Sequence, residues 1–329
     1  MNPRSPHLAC LVALVVSLGT GCAESSAAGS ATQPAITTQK PSGPYVSNGR
    51  ILIGIEAGKK HSIAIIDATG MHAVKAPADG TMAQWDWGGN DAVVFTSARD
   101  DNVRHVYWMP IGSQPRRVTP LSSNQEMPSA SPDGKQVAYS EYAITGEYDY
   151  GLHVADINGR HARALTPAHL RNSEAVATDP NFSPDGKWVA FADVANWDKG
   201  RSAICVVRVD GSDRHCLTGY DMDAGRPRWS PDGKTILFTQ GYHNGSLTSS
   251  VPLWTVPVTG GPPTALAKHP YGSSFEADWS PDGSEVVYKF WQPGWDYNEL
   301  RIVNVGTGAD RLLWKAPSGS TAEMPDWQS

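Results

Sequence analysis

The chain has 329 residues, of which 18% are charged, and a formal net charge of −6 at pH 7. A mildly acidic chain without a basic run argues against nucleic acid and anionic lipid surfaces as main partners, and its length is ample for a sizeable core. Of the four cysteines only Cys205 and Cys216 lie beyond residue 22. Two thiols without a matching histidine pair give no metal motif.

Residues 1–21 read as a targeting segment. Arg4 forms a short basic region, Leu8 to Leu18 is an apolar stretch too short to span a membrane, and small residues precede Cys22. The pattern resembles a bacterial lipoprotein signal, which implies lipidation at Cys22. Gly19 stands where that signal usually has leucine, so an ordinary secretory signal is the competing reading, and on either reading the mature chain leaves the cytoplasm. Removing the segment deletes Arg4 alone among the formal charges and takes the balance from −6 to −7. Residues 22–44 are rich in Ser, Ala, Thr, Gln and Pro. Such a composition buries too little apolar surface to fold and predicts a flexible tether.

From residue 45 to 329 one repeat recurs. Ile51 to Ile55, Ile63 to Ile66 and His72 to Lys75 read as the last three strands of a unit that lacks its first, and Trp85-Asp86-Trp87-Gly88-Gly89 is a degenerate repeat corner. Four intact corners follow at Ser131-Pro132-Asp133-Gly134, Ser183 to Gly186, Ser230 to Gly233 and Ser280 to Gly283, spaced 52, 47 and 50 residues apart. Proline presets φ, aspartate accepts local backbone bonds and glycine tolerates φ > 0, so each SPDG predicts a strand-reversing turn. A period of this size marks a propeller or a solenoid. Near the C-terminus Pro325-Asp326-Trp327-Gln328 matches Pro227-Arg228-Trp229-Ser230, a first strand with no unit after it. Joined to the incomplete first unit it closes a ring and removes exposed sheet edges. The expected fold is all-β, a six-bladed β-propeller with terminal strand closure. Trp85, Trp229, Trp279 and Trp327 share one repeat position, which predicts core packing.

The repeat resembles the TolB-type propeller, a relative of the WD repeat that carries a Pro-Asp-Gly turn. The resemblance covers residues 45–329 and implies a periplasmic or cell-surface interaction module. Fold alone does not imply function.

SPDG turns and the later Gly-containing turns fall on one face of such a ring, and the loops joining second to third strands and successive blades fall on the other. The second set is long and varied, and such loops are where a rigid scaffold places recognition. They carry Tyr142, Tyr148, Tyr150, Trp197, Asp198, Tyr242, His243, Trp291, Trp295, Asp296 and Tyr297. Of these, Tyr148, Tyr150, Trp197, Asp198, Tyr242, His243, Trp295, Asp296 and Tyr297 are the candidate binding residues, because Tyr and Trp combine a large rigid surface with one polar handle. The alternative is that the loops fold these rings inward. His61, His105, His169, His243 and His269 map to the same face without the short spacing of a metal motif and read as scattered surface residues. Asp221-Met222-Asp223-Ala224-Gly225 resembles part of a calcium loop but lacks the later acidic ligand.

Cys205 and Cys216 flank Asp210-Gly211, and a two-residue hairpin there pairs them across two strands. They are either a disulfide or two small core residues. There is no Gly-x-Ser-x-Gly elbow, phosphate loop or Gly-x-Gly-x-x-Gly in the sequence, so no catalytic residues, cofactor or metal are expected. The leading functional expectation is a monomeric, non-catalytic scaffold that is lipid-anchored at Cys22 and binds an envelope protein or cell-wall glycan. The alternative is a polysaccharide-active enzyme such as a metal-assisted uronate lyase using the same face.

Overall fold

A computed structural model of the chain describes residues 46, 49–58, 60–74, 81–86, 91–120, 123–142, 151–166, 176–196, 199–241, 251–267, 269, 272–295 and 298–328. All of them lie in one compact unit, Thr38–Ser329. They form six four-stranded antiparallel sheets.

Blade 1 contains β1 (Ile51–Ala57), β2 (Lys60–Asp67) and β3 (Gly70–Val74), and blade 2 contains β4 (Thr81–Asp86), β5 (Ala92–Ser97), β6 (His105–Pro110) and β7 (Arg116–Arg117). Blade 3 is β8 (Asn124–Ala130), β9 (Gln136–Tyr142), β10 (Gly151–Asp156) and β11 (Arg163–Ala164). Blade 4 is β12 (Val176–Phe182), β13 (Trp188–Asn196), β14 (Arg201–Arg208) and β15 (His215–Cys216). Blade 5 is β16 (Gly225–Trp229), β17 (Thr235–Thr239), β18 (Leu253–Pro257) and β19 (Thr264–Ala267). Blade 6 is β20 (Ser273–Trp279), β21 (Glu285–Trp291), β22 (Glu299–Asn304) and β23 (Asp310–Lys315). The last strand, β24 (Ser320–Trp327), pairs with β1 and completes blade 1 in the order β24-β1-β2-β3. Each innermost strand packs on the next, and β24 packs on both β20 and β4, so the ring closes.

The serine, aspartate and glycine of the SPDG corner each have a hydrogen-bond partner. In blade 3 the Ser131 hydroxyl donates to Asp133 Oδ1 at 2.7 Å and accepts the Gln136 N–H at 2.9 Å, while Asp133 Oδ1 also accepts the Lys135 N–H at 3.1 Å. The Gly134 N–H closes the turn onto the Ser131 carbonyl at 2.8 Å, with φ at +65°. The other three corners repeat this set of bonds.

A second repeated device ties blade to blade. The residue two places before the SPDG serine accepts a backbone N–H from the next innermost strand. Phe182 N–H donates to Ser129 Oγ at 3.3 Å, Trp229 N–H to Asn181 Oδ1 at 2.9 Å and Trp327 N–H to Asp278 Oδ2 at 2.7 Å. Arg228 holds this position in blade 5, and a guanidinium cannot accept. There the Arg228 carbonyl takes the Trp279 Nε1–H instead, at 3.2 Å.

Six apolar clusters lie at the six blade junctions. Val94, Val106 and Val118 of blade 2 pack on Val137 and Tyr139 of blade 3, for example, and Ile51 and Trp327 pack on Val287 and Ile302 of blade 6. Trp229, Trp279 and Trp327 are buried at their shared position, as the recurrence predicts. Trp327 is fully enclosed, so the closing strand is held by packing as well as by its ladder.

Candidate functional site

The axis of the ring carries a feature that the sequence reading missed. Every innermost strand has a register shift: Thr81/Gln84 in β4, Glu126/Ser129 in β8, Thr178/Asn181 in β12, Gly225/Arg228 in β16, Phe275/Ala277 in β20, and the Leu52/Gly54 step where β1 meets β24. The residue four places before the repeat serine position sits in these bulges with positive φ: Met127 at 52°, Asp179 at 55°, Arg226 at 56°, Glu276 at 49° and Met324 at 47°. Non-glycine residues rarely adopt this conformation, and a bulge re-aims the side chain it carries. Here the aim is the axis. Arg226 of blade 5 reaches Met127 Sδ of blade 3 at 3.5 Å, a contact between non-adjacent blades that has to cross the centre.

A part-buried ion network fills this position. Arg226 lies 3.8 Å from Asp179 and 3.7 Å from Glu276, and Lys289 Nζ bridges Glu276 at 3.2 Å and Glu323 at 2.8 Å. Glu276 Oε2 also accepts the Met324 N–H at 3.0 Å. Three carboxylates meet two cations. Burial alone would raise Glu276, but Lys289 and Arg226 hold it down at about 2. Burial raises Glu323 despite Lys289 and pushes Asp278, the clasp acceptor two places along, up to about 6. Both Asp179 oxygens are buried with no hydrogen-bond donor among the described residues.

The expected sorting of loops follows from connectivity. SPDG turns join first to second strands and Gly turns join third to fourth, so both lie on one face, and the remaining loops lie on the other. Of the candidate binding residues, Tyr148, Tyr150, Trp197, Asp198, Tyr242, His243, Asp296 and Tyr297 lie outside the described residues, as does Cys22. Trp295 is described. It packs edge-on against Phe290 with ring centroids 6.0 Å apart, and its carbonyl accepts the Trp291 Nε1–H at 3.1 Å. Tyr142 donates to Glu126 at 2.8 Å. These three rings are held by their own blades.

Of the five mapped histidines, His169 and His243 lie outside the described residues, and His105 and His269 differ from the surface reading. His105 is fully buried, with Nδ1 2.8 Å from Gln125 Oε1 and Nε2 3.1 Å from Asp101. Gln125 continues this chain to Ser123, which donates to Glu141. His269 is half-buried, 2.6 Å from the Tyr288 hydroxyl, and burial lowers its pKa. Asp221 lies within a 3₁₀ turn, Tyr220–Met222, that Asp223 ends, and buried Asp223 accepts the Ser202 hydroxyl at 3.4 Å.

Cys205 and Cys216 are directly opposed in β14 and β15, and their sulfurs are joined. Asp193 lies beside them, and the three make up the one His, Cys, Asp or Glu cluster among the described residues with metal-ligand spacing, but the two sulfurs are already bonded to each other. Its Oδ2 already accepts the Tyr220 hydroxyl at 2.6 Å and pairs with Arg214 at 2.8 Å. Burial and this carboxylate push Tyr220 up to about 12.

A closed ring of six bulged sheets, completed by its own last strand, defines a six-bladed β-propeller. Its repeat is of one type: residues 142–296 match the TolB beta propeller domain. The Tol-Pal system protein TolB of Alcanivorax borkumensis is 26% identical over 166 residues, 49% of this chain and 37% of that protein. An uncharacterized peptidase of Bacillus subtilis is 28% identical over 113 residues, 34% of this chain and 16% of that protein. The chain thus spans well under two thirds of these relatives. The crystal structure of TolB from Acinetobacter baumannii superposes with a TM-score of 0.65 at 19% identity, covering 85% of this chain and 66% of that one. An oligogalacturonate lyase from Vibrio parahaemolyticus superposes with a TM-score of 0.57 at 12% identity, covering 83% of both chains. At such identities the likeness is one of fold. The chain is a TolB-like β-propeller.

Proposed function

We propose that this chain is a non-catalytic binding propeller of the bacterial cell envelope that recognises an envelope protein through its loop-rich face. Residues 1–21 direct export, Cys22 carries the lipid anchor, residues 22–44 act as the tether, and the propeller works as a monomer outside the cytoplasm. What supports the reading is the strand order taken with the sequence: the SPDG and Gly turns connect strands at one face, and the remaining connections differ in length and are rich in Tyr and Trp. Similarity to a Tol-Pal system protein supports an envelope role. The axial ion network supports a scaffold rather than a reaction centre, because its cations are engaged in holding blades 5, 6 and 1 together.

Affinity capture from envelope extracts tests this reading, comparing the full chain with a Trp197→Ala, Tyr242→Ala variant of unchanged melting temperature. A protein retained by the native chain and lost with the variant is the expected result. Identical captured sets would sink the proposal, and retention of glycan alone would move it to a cell-wall ligand.

A further inference from the structure

We propose that a cleft between blades 4 and 5, on the face of the SPDG turns, binds a neutral saccharide unit. This site is independent of the loop-rich face, and its failure would leave the reading above untouched.

The cleft has a volume of about 330 Å³, at the small end of the roughly 300–1,000 Å³ typical of ligand sites. Trp188, His215 and Trp229 form its walls, and Asp185, Pro231 and Asp232 from two neighbouring SPDG turns form its lips. It occurs here for a reason visible in the repeat. The residue five places after the SPDG serine is Gln136, Trp188, Thr235 or Glu285, and the residue before the next repeat serine position is Phe182, Trp229, Trp279 or Trp327. Among these four junctions, two indoles meet only where Trp188 faces Trp229. Arg208 stacks over the Trp188 ring at 4.4 Å, and His215 meets its edge with an interplanar angle of 84°. Trp188 is thereby fixed in place.

The charges at the lips select the ligand class. Asp185 Oδ1 is occupied by the Ser183 hydroxyl and the Lys187 amide, and Asp232 Oδ1 by Ser230 and Lys234 in the same way. The Oδ2 atoms stand 3.5 Å from the exposed Lys187 and Lys234 ammoniums. Slight burial of Asp185 is outweighed by its Ser183 bond, and the Ser230 bond lowers Asp232, so both carboxylates stay ionised near neutral pH. Two carboxylates and two ammoniums cancel. A charged ligand gains no net attraction there, whereas a ring bearing several hydroxyls meets acceptors and donors in alternation and lays its C–H face on an aromatic wall.

Trp229 offers the cleft its ring and not its N–H, because Nε1 is buried out of a ligand's reach; the matching Trp279 donates its own to the Arg228 carbonyl.

Tryptophan fluorescence titration of the full chain with cellobiose, maltose and chitobiose is the test, with hexylammonium and glucuronate as charged probes. We expect at least one disaccharide to bind with a Kd of about 1 mM or tighter, and Asp232→Asn and His215→Ala each to weaken it about tenfold with an unchanged circular dichroism spectrum. Trp197→Ala, in a connection that the repeat pattern assigns to the opposite face, should leave it unaltered. Silence from all three disaccharides would overturn the proposal, as would tighter binding of either charged probe. Loss of binding with Trp197→Ala would place the sugar on the loop-rich face and also refute this site.

Discussion

The SPDG turns and the axial bulges are both repeated features of the ring, yet they use repetition in opposite ways. At the turns, backbone and side chains recur together, because Ser, Asp and Gly each satisfy a bond that the corner cannot do without. At the bulges only the backbone recurs: five side chains share a left-handed φ but are Met, Asp, Arg, Glu and Met. A repeat can therefore hold its architecture constant in one layer while varying the chemistry it presents in another. The axis of this propeller is chemically individual even though its frame is not.

That contrast can be broken from the axial side first. Lys289→Met leaves the part-buried Glu276 and Glu323 without the cation that bridges them, and we expect a loss of about 2–4 kcal/mol in urea unfolding. An effect below about 1 kcal/mol would mean that water reaches the network. Trp327→Ala removes the enclosed indole of the closing strand and should also cost about 3–5 kcal/mol, with lost protection from hydrogen exchange in β1 and β24 before the other blades. On the turn side, Ser131→Ala deletes one donated and one accepted bond and should cost about 1–2 kcal/mol, with the same change at Ser183 or Ser230 giving a similar value. Unequal costs among the corners would show that the turns are less uniform than their geometry.

A further test concerns pH. Asp278 rises from 3.8 to about 6 on folding, so the folded chain holds this proton more tightly than the unfolded one. The resulting stability is present below the unfolded value and is lost as pH climbs through about 6. Glu276 acts with the opposite sign in a separate window, because its stabilisation is lost as pH falls from 4.5 toward about 2. Asp278→Asn keeps a carbonyl acceptor for the Trp327 N–H, as Asn181 does for Trp229. It should reduce the slope of the unfolding free energy between pH 4 and 6, leaving the smaller slope from Glu323, and keep the acid limb intact.

Much of the frame was legible in the sequence because its physics is local. A Ser-Pro-Asp-Gly corner announces itself, and the matching Pro-Asp-Trp at the C-terminus identified the closing strand that pairs with β1. The axial network was not legible in the same way. Its residues stand four places before each repeat serine, but no letter is shared, and only the positive φ and the crossing contact from Arg226 to Met127 reveal that they converge. His105 misled for a related reason: its position suggested an exposed loop, while Asp101 and Gln125, four residues before it and twenty after, supply the partners that bury it. Long-range pairing leaves little trace in a local pattern.

The most direct test of the central claim, recognition through the loop-rich face, is hydrogen–deuterium exchange of the full chain with and without its captured envelope partner. The account predicts slowed exchange in the segments 141–151, 193–203, 240–252 and 290–299, with the four SPDG turns unchanged. Protection of the SPDG turns with no change in those loops would contradict it.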